Sequence, residues 1–133
     1  MWDQDKDGKA MKILVIDDEE SISSTLGMLL EASGFTVRTA ANGKDGVDLY
    51  MAELATGTPF GLVITDFRMP IKQGDQVIKE ILDAAPNQRM ILMTAYGKDA
   101  LPKEYLSRVI VVAKPFDLDE FIQTVQNLAS QIL

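Results

Sequence analysis

The stretch Leu62-Val63-Ile64-Thr65-Asp66 restricts the possible folds of this chain more than any other segment. It is a nearly continuous apolar run that ends in a carboxylate, and Pro70 stops any further strand four residues later. A strand that is apolar on both faces is typical of the interior of a parallel sheet that helices cover on both sides. Ligands of such sheets bind at the carboxyl ends of the strands, so we expect Asp66 to lie at a functional edge.

Apolar runs of strand length alternate with amphipathic helical patterns five times along the chain. The predicted strands cover residues 12–16, 35–40, 62–66, 90–93 and 109–112. This alternation predicts an α/β fold, with a doubly wound, five-stranded parallel sheet, helices on both faces and right-handed crossovers. The second strand alternates polar and apolar residues and is predicted at an edge. The other four are predicted inside, which matches the strand order 2-1-3-4-5.

Two segments do not fit the regular pattern. The fourth helix should lie within residues 98–106, but Pro102 removes a backbone donor there, so we expect this helix to be short or irregular. Residues 1–10 are polar and are predicted to form a flexible tail before a single domain over residues 11–133. Residues 3–8 copy the first half of a calcium loop, but its twelfth position is Leu14 instead of glutamate, so we expect no calcium site.

The composition excludes several kinds of site and partner. The chain has neither cysteine nor histidine, which excludes disulfides, thiolate nucleophiles, histidine acid–base chemistry and a phosphohistidine of its own. The formal net charge of −7 argues against a nucleic-acid partner. No apolar run is long enough to span a bilayer and no signal-peptide pattern opens the sequence, so we expect a cytoplasmic protein without a membrane partner.

Polar side chains follow four of the predicted strands at the edge where those strands end. They are Asp17 and Asp18 after the first strand, Asp66 after the third, Thr94 after the fourth and Lys114 after the fifth. Crowded carboxylates repel each other, and a hard divalent cation such as Mg²⁺ relieves that repulsion through oxygen ligands. Together with a positive charge and a hydroxyl donor, such a set is typical of phosphoryl transfer to a carboxylate.

Each of these residues also has a plainer interpretation. The acidic run is favoured by the dipole of a helix start, Thr94 suits a helix cap, and Lys114 with Pro115 suits a simple strand exit. Side chains suited to phosphoryl transfer at all four strand ends are much less expected by coincidence than such a side chain at one strand end. This combination favours the phosphoryl-transfer hypothesis.

The motifs at these positions resemble those of the response-regulator receiver domain of two-component signalling, over about residues 11–133. The residues that carry the resemblance are Asp17-Asp18, Asp66-x-x-Met69-Pro70-x-x-x-Gly74, Thr94-Ala95 and Lys114-Pro115-Phe116. The resemblance implies a CheY-like fold of the flavodoxin type. It implies a protein of a two-component or phosphorelay system that is not an enzyme but a phosphoacceptor, assisting its own phosphorylation and slow dephosphorylation.

The resemblance also implies a role for each site residue. Asp66 accepts the phosphoryl group, and Thr94 and Lys114 hold its oxygens. The implied cofactor is Mg²⁺, or Mn²⁺ in its place. The implied ligands are Asp66 and Asp18 directly, Asp17 through water, and the backbone carbonyl of Arg68. The peptide bond before Pro115 is implied to be cis.

The implied partners are a histidine kinase or a histidine-phosphotransfer protein as donor, and a downstream effector. The effector is expected to bind the face made by the fourth helix, the fifth strand and the fifth helix. Val111 departs from the family pattern, because it stands where the family often has the aromatic residue of a rotating switch. Arg68 and Tyr96 resemble residues at the site mouth of single-domain phosphorelay receivers, and we expect them to exclude water from the site.

Two other functions stay open from the sequence. An Asp-nucleophile phosphohydrolase of the haloacid-dehalogenase type uses similar residues, but it needs a second Asp two positions after the nucleophile, where this chain has Arg68. A pseudo-receiver would act as a binding module without phosphorylation. Such modules have lost one of the site residues, whereas this sequence retains all of them.

Overall fold

A parallel sheet of five strands forms the centre of the protein in the computed structural model, which describes residues 11–97 and 101–132. The strands are β1 (Lys12–Ile16), β2 (Thr36–Ala40), β3 (Leu62–Asp66), β4 (Met90–Thr94) and β5 (Val109–Ala113). Their order across the sheet is β2-β1-β3-β4-β5 and each neighbouring pair is parallel, which confirms the predicted doubly wound fold. The predicted flexible tail, with its partial calcium loop, lies outside the described residues.

Four α-helices in the described part of the chain cover the two faces of this sheet. They are α1 (Glu20–Ala32), α2 (Gly43–Ala55), α3 (Gly74–Ala84) and α4 (Leu118–Ile132). Successive residues of a strand point to opposite faces, so β1 contributes Leu14 to the apolar layer under α2 and α3 and Val15 to the layer under α1 and α4. Every residue of β3 and β4 is buried, as predicted for interior strands. None of the described helices is long and apolar enough to cross a lipid bilayer.

The prediction that β5 is an interior strand is wrong, because β5 forms the second edge of the sheet. Among the described residues it pairs with β4 alone, and Ile110 is 38% exposed. Val112 packs against the layer under α4, and Val111 packs against the margin of the opposite layer. An apolar run of this length indicates that other elements cover the faces of a strand. It does not distinguish an edge strand from an interior one.

The segment before β5 contains a short 3₁₀ turn, Lys103–Tyr105, in agreement with the prediction of a short or irregular fourth helix. Pro102 precedes this turn in an extended conformation, and its carbonyl oxygen accepts the N–H of Tyr105 at 3.0 Å. Residues 98–100, where the predicted helix begins, lie outside the described residues. The predicted fifth helix is therefore α4 of the structure. In the described part of the chain, the face predicted to bind the effector consists of this turn, β5 and α4.

The loop between β3 and α3 turns sharply at Ile71, which has a φ of 73°. The N–H of Lys72 donates to the carbonyl oxygen of Pro70 at 2.8 Å and closes a γ-turn around Ile71. A β-branched residue rarely adopts a positive φ, so this turn is strained. Because Ile71 is 74% exposed, burial of its side chain does not offset that strain.

Candidate functional site

The carboxyl ends of β1, β3, β4 and β5 bring the predicted site residues to one edge of the sheet. Asp66 and Thr94 are the last residues of β3 and β4, and Asp17 and Lys114 directly follow β1 and β5. A cavity of about 260 Å³ opens at this edge. Its lining residues are Asp18, Glu19, Asp66, Phe67, Arg68, Thr94, Ala95, Tyr96 and Lys114.

The side chain of Asp66 is almost fully buried, and one of its carboxylate oxygens has two donors. Lys114 Nζ lies 2.8 Å from Oδ1, and the backbone N–H of Phe67 donates to the same oxygen at 3.0 Å. Burial of the ammonium group acts to lower the pKa of Lys114, but the hydrogen bond to Asp66 and the charge of that residue hold it above its ordinary value. Lys114 therefore places a fixed positive charge against the Asp66 carboxylate.

Asp17 is 1% exposed, and among the described residues only one of its two carboxylate oxygens has a hydrogen-bond partner. Its Oδ1 accepts the backbone N–H of Glu19 at 2.9 Å, whereas its buried Oδ2 has no hydrogen-bond partner among the described residues. Burial raises the pKa of this carboxyl from 3.8 to about 6, and the charge of Asp66 adds to the effect. The Glu19 N–H and Lys114 oppose this rise without cancelling it. A cation beside Oδ2 would remove the electrostatic cost.

Three carboxylates in the described part of the chain lie close together. Asp17, Glu19 and Asp66 each offer an oxygen, and these atoms lie within 4.8 Å of one another. Oxygen atoms at this spacing suit a divalent cation, and Asp17 Oδ2, which has no partner in the described part of the chain, fits that use. Asp18, which the resemblance implies as a direct ligand, lines the cavity but is exposed and stands outside this group. Sequence reasoning missed Glu19 because an acidic run after a strand also suits the start of a helix.

The hydroxyl of Thr94 is buried and oriented by the backbone that follows it. The N–H of Tyr96 donates to Thr94 Oγ1 at 3.0 Å, so the hydroxyl hydrogen remains to donate elsewhere. The N–H of Lys114 donates to the carbonyl oxygen of Thr94 at 2.9 Å and joins the ends of β4 and β5. The peptide bond between Lys114 and Pro115 is cis.

Arg68 and Tyr96, the residues predicted to exclude water, contact each other at the rim of the cavity. The guanidinium carbon of Arg68 lies 5.1 Å from the centre of the Tyr96 ring, a cation–π contact. The ring of Phe67 packs edge-on against the same ring, with 5.8 Å between the ring centres. Tyr96 is 49% exposed, so this group of three side chains has one face in solvent.

Gly74, the first residue of α3, lies so close to the backbone of Asp66 that only glycine fits there. A Cβ at this position would collide with the backbone oxygen of Asp66 and with the Cα of Phe67. The N–H of Gly74 also donates to the carbonyl oxygen of Phe67 at 2.7 Å. A larger residue would therefore displace the backbone that carries Asp66.

A second cavity, of about 610 Å³, adjoins the site and is lined mainly by apolar groups. It extends from Ile22 on α1 to Pro115 and Phe116 after β5, and it shares Glu19 and Lys114 with the first cavity. An open apolar surface therefore lies directly beside the buried carboxylates.

Comparisons with known proteins agree with these observations. The family model of the response regulator receiver domain matches residues 13–126. The chain is 32% identical over 118 residues to sporulation initiation phosphotransferase F of Bacillus subtilis (strain 168), which covers 87% of this chain and 91% of that protein. It is 30% identical over 128 residues to chemotaxis protein CheY of Treponema pallidum (strain Nichols), which covers 94% of this chain and 87% of that protein. The crystal structure of a response regulator receiver domain protein from Clostridium thermocellum matches with a TM-score of 0.79 and 28% identity, over 91% of this chain and 95% of that chain.

Proposed function

The chain belongs to the response regulator receiver domain family of two-component signalling, and we propose that Asp66 accepts a phosphoryl group from a phosphohistidine on a partner protein. The observation that carries this proposal is the contact of 2.8 Å between Lys114 Nζ and Asp66 Oδ1, at a cavity that Thr94 also lines. Because this chain contains no histidine, the phosphohistidine has to belong to another molecule.

The proposed step transfers one phosphoryl group from nitrogen to oxygen. An oxygen of Asp66 attacks phosphorus while the phosphorus–nitrogen bond of the donor breaks, and the electron pair of that bond returns to the imidazole nitrogen. Because Lys114 and the Phe67 N–H hold Oδ1, we propose Oδ2 as the attacking atom. The product is an acyl phosphate on Asp66.

In this proposal, Lys114 and Thr94 stabilise the charge on the transferred group. Lys114 contributes a positive charge that its contact with Asp66 already holds in place. Thr94 contributes a hydroxyl hydrogen, because its oxygen is occupied by the N–H of Tyr96. Donors that are oriented before the reaction stabilise developing charge without a further cost of reorganisation.

We further propose Mg²⁺ as the cation of this site, with Mn²⁺ as the alternative. When bound, the cation would neutralise carboxylate charge and polarise a phosphoryl oxygen. Two observations support this proposal. Oxygens of Asp17, Glu19 and Asp66 lie within 4.8 Å of one another, and no described residue forms a hydrogen bond with Asp17 Oδ2. Asp18, which lines the same cavity, and the backbone carbonyl of Arg68 are the further ligands proposed.

A histidine kinase or a histidine-phosphotransfer protein is the proposed donor, and the apolar cavity beside the site supports docking of such a partner. Its walls at Ile22 and Phe116 offer apolar contact next to the shared residue Lys114. The effector is proposed to bind the face of α4, β5 and the turn before β5. Val111 on that face is partly buried, so this output surface has an aliphatic residue at the position where the family often has an aromatic switch.

The test is intact-mass spectrometry after incubation with Mg²⁺ and acetyl phosphate, a small phosphodonor. We expect one acid-labile phosphoryl group per chain on the wild-type protein and none on Asp66→Asn. Asp75→Asn, which changes a carboxylate in the first turn of α3, is the matched control and should label normally.

Three outcomes would overturn the proposal or redirect it. Labelling of a folded Asp66→Asn variant would exclude Asp66 as the acceptor. A folded wild-type protein that does not label would favour the pseudo-receiver. Continuous turnover of excess phosphodonor would favour the phosphohydrolase.

A further inference from the structure

The peptide group between Asp66 and Phe67 directly follows the proposed phosphoacceptor in the chain. The orientation of this peptide group affects where the Asp66 carboxylate points. From the contacts of this peptide, we infer that the hydroxyl of Thr65 is a positioning group for phosphorylation of Asp66. The inference rests on the proposed function and adds a residue to it. Thr65 does not line the cavity, so its effect on the reaction would pass through Asp66.

Thr65 occupies an apolar environment, where a hydroxyl group is unfavourable unless it is hydrogen-bonded. It is fully buried, and its partners across the sheet are Ile16 on β1 and Leu92 on β4. Both partners belong to the apolar layer under α2 and α3. Valine has nearly the same shape as threonine and would fill this position without a polar atom, so packing alone does not require the hydroxyl.

The hydroxyl of Thr65 donates to the backbone oxygen of Asp66 at 3.0 Å. Asp66 still pairs with Met93 on β4, but the register between β1 and β3 ends at Ile16 and Thr65, so the ladder with β1 offers no partner to that oxygen. No backbone N–H in the described loops and turns donates to it. Thr65 therefore supplies the donor that a further pair of residues in the ladder would otherwise provide.

The other sides of the same peptide group are held as well. The N–H of Phe67 donates both to the carbonyl oxygen of Met93 on β4 and to Asp66 Oδ1, each at 3.0 Å. Gly74 lies so close to the backbone oxygen of Asp66 that a Cβ there would collide with it. With the Thr65 hydroxyl in place, the peptide group cannot rotate without loss of one of these contacts.

The orientation of this peptide group reaches the proposed reacting atoms through Asp66 Oδ1. The N–H of Phe67 and Lys114 Nζ share that oxygen, so a rotation of the peptide group moves the carboxylate relative to Lys114. Phosphoryl transfer needs the attacking oxygen in line with the bond that breaks, and small displacements of a reacting group reduce the rate by large factors. Loss of the Thr65 hydroxyl should therefore lower the rate of phosphorylation as well as the stability of the fold.

The test compares the rate of labelling by acetyl phosphate at saturating Mg²⁺ in Thr65→Val and wild type, with thermal unfolding measured in parallel. We expect the rate constant of labelling to fall about tenfold in Thr65→Val. Thr65→Ser loses only the methyl group and should label at the wild-type rate, whereas Thr65→Ala loses the methyl group and the hydroxyl and should not. This second pair separates the hydroxyl from the methyl group and keeps the inference falsifiable if Thr65→Val does not fold.

Thr124→Val is the matched control, because Thr124 Oγ1 on α4 donates to the backbone oxygen of Glu120 at 3.0 Å. This variant should label at the wild-type rate. Wild-type rate constants in the folded Thr65 variants that lack the hydroxyl would overturn the inference whatever their melting temperatures, because a purely structural hydroxyl changes stability alone. If the wild-type protein itself does not label, the proposed function fails instead, so the two failures are distinguishable.

Discussion

Replacement of Asp17 by Asn tests the electrostatic description of the site most directly, because it removes one charge and retains the shape of the side chain. Asp17 is 1% exposed, its Oδ1 accepts the Glu19 N–H and its Oδ2 has no partner among the described residues. Asparagine retains an oxygen that can accept the same N–H, so the turn after β1 should be preserved. The variant therefore isolates the free-energy cost of the buried charge.

The pKa of Asp17 determines the sign and the size of the expected effect. Burial raises this pKa from 3.8 to about 6, so between these values the folded protein retains a proton that the unfolded chain has released. The free energy of unfolding therefore falls as the pH rises through this range, by about 3 kcal/mol at about 1.4 kcal/mol per pH unit. At higher pH the cost of about 3 kcal/mol persists, and Asp17→Asn should remove it.

The assay is urea unfolding followed by circular dichroism, in EDTA so that no divalent cation binds the site. At about pH 7.5 we expect Asp17→Asn to be more stable than wild type by about 3 kcal/mol, or by about 10 °C in Tm. At about pH 4 the two proteins should be nearly equal. The difference between their free energies of unfolding removes the pH dependence that other titratable groups contribute to both proteins. Asp48→Asn, which removes an exposed carboxylate on α2 that forms an ion pair with Lys44, is the control and should not be stabilised.

Equal stability of the two proteins at about pH 7.5 would refute the reasoning from burial. Addition of Mg²⁺ gives a second comparison. The wild-type protein should gain stability by mass action, and Asp17→Asn should gain less because one charged ligand is absent. An equal gain in both proteins would remove Asp17 from the proposed metal site.

The remaining predictions concern the ion pair and the loops at the same edge of the sheet. Lys114→Met should lower the free energy of unfolding by about 3 kcal/mol, because it leaves the buried Asp66 carboxylate without its cation. The double variant with Asp66→Asn should regain most of that stability. Losses in urea unfolding that simply add from the two single variants would contradict the pairing. Ile71→Gly should raise the free energy of unfolding by about 1 kcal/mol, because glycine adopts the φ of 73° without strain; an unchanged urea midpoint would contradict this. Combined Arg68→Ala and Tyr96→Ala should speed loss of the phosphoryl group in time-resolved mass spectrometry, because water would enter the site mouth; an unchanged decay rate would show that these side chains do not exclude water.

Local sequence patterns determine which segments of this chain form strands and helices, and which strand ends carry polar groups. The apolar runs and the helices between them are sufficient to predict a parallel sheet with β2 at an edge, because crossover connections allow few arrangements. A parallel sheet brings its carboxyl ends to one edge, so the proximity of Asp17, Asp66 and Lys114 follows from the same pattern. The position of Pro102 similarly indicates an irregular segment before β5, because proline has no backbone donor.

Only the tertiary structure determines which side chains meet at that edge and where strand pairing stops. Glu19 joins Asp17 and Asp66 in the group of close carboxylate oxygens, and Asp18 does not. The Glu19 N–H also closes the turn after β1 on Asp17 Oδ1. The run that forms β5 is compatible with an interior or an edge position, and its neighbours in space decide between them. The partner of the Thr65 hydroxyl likewise depends on where the ladder between β1 and β3 ends. Side-chain direction and the extent of pairing arise from contacts between distant segments, which a local pattern of residue types does not specify.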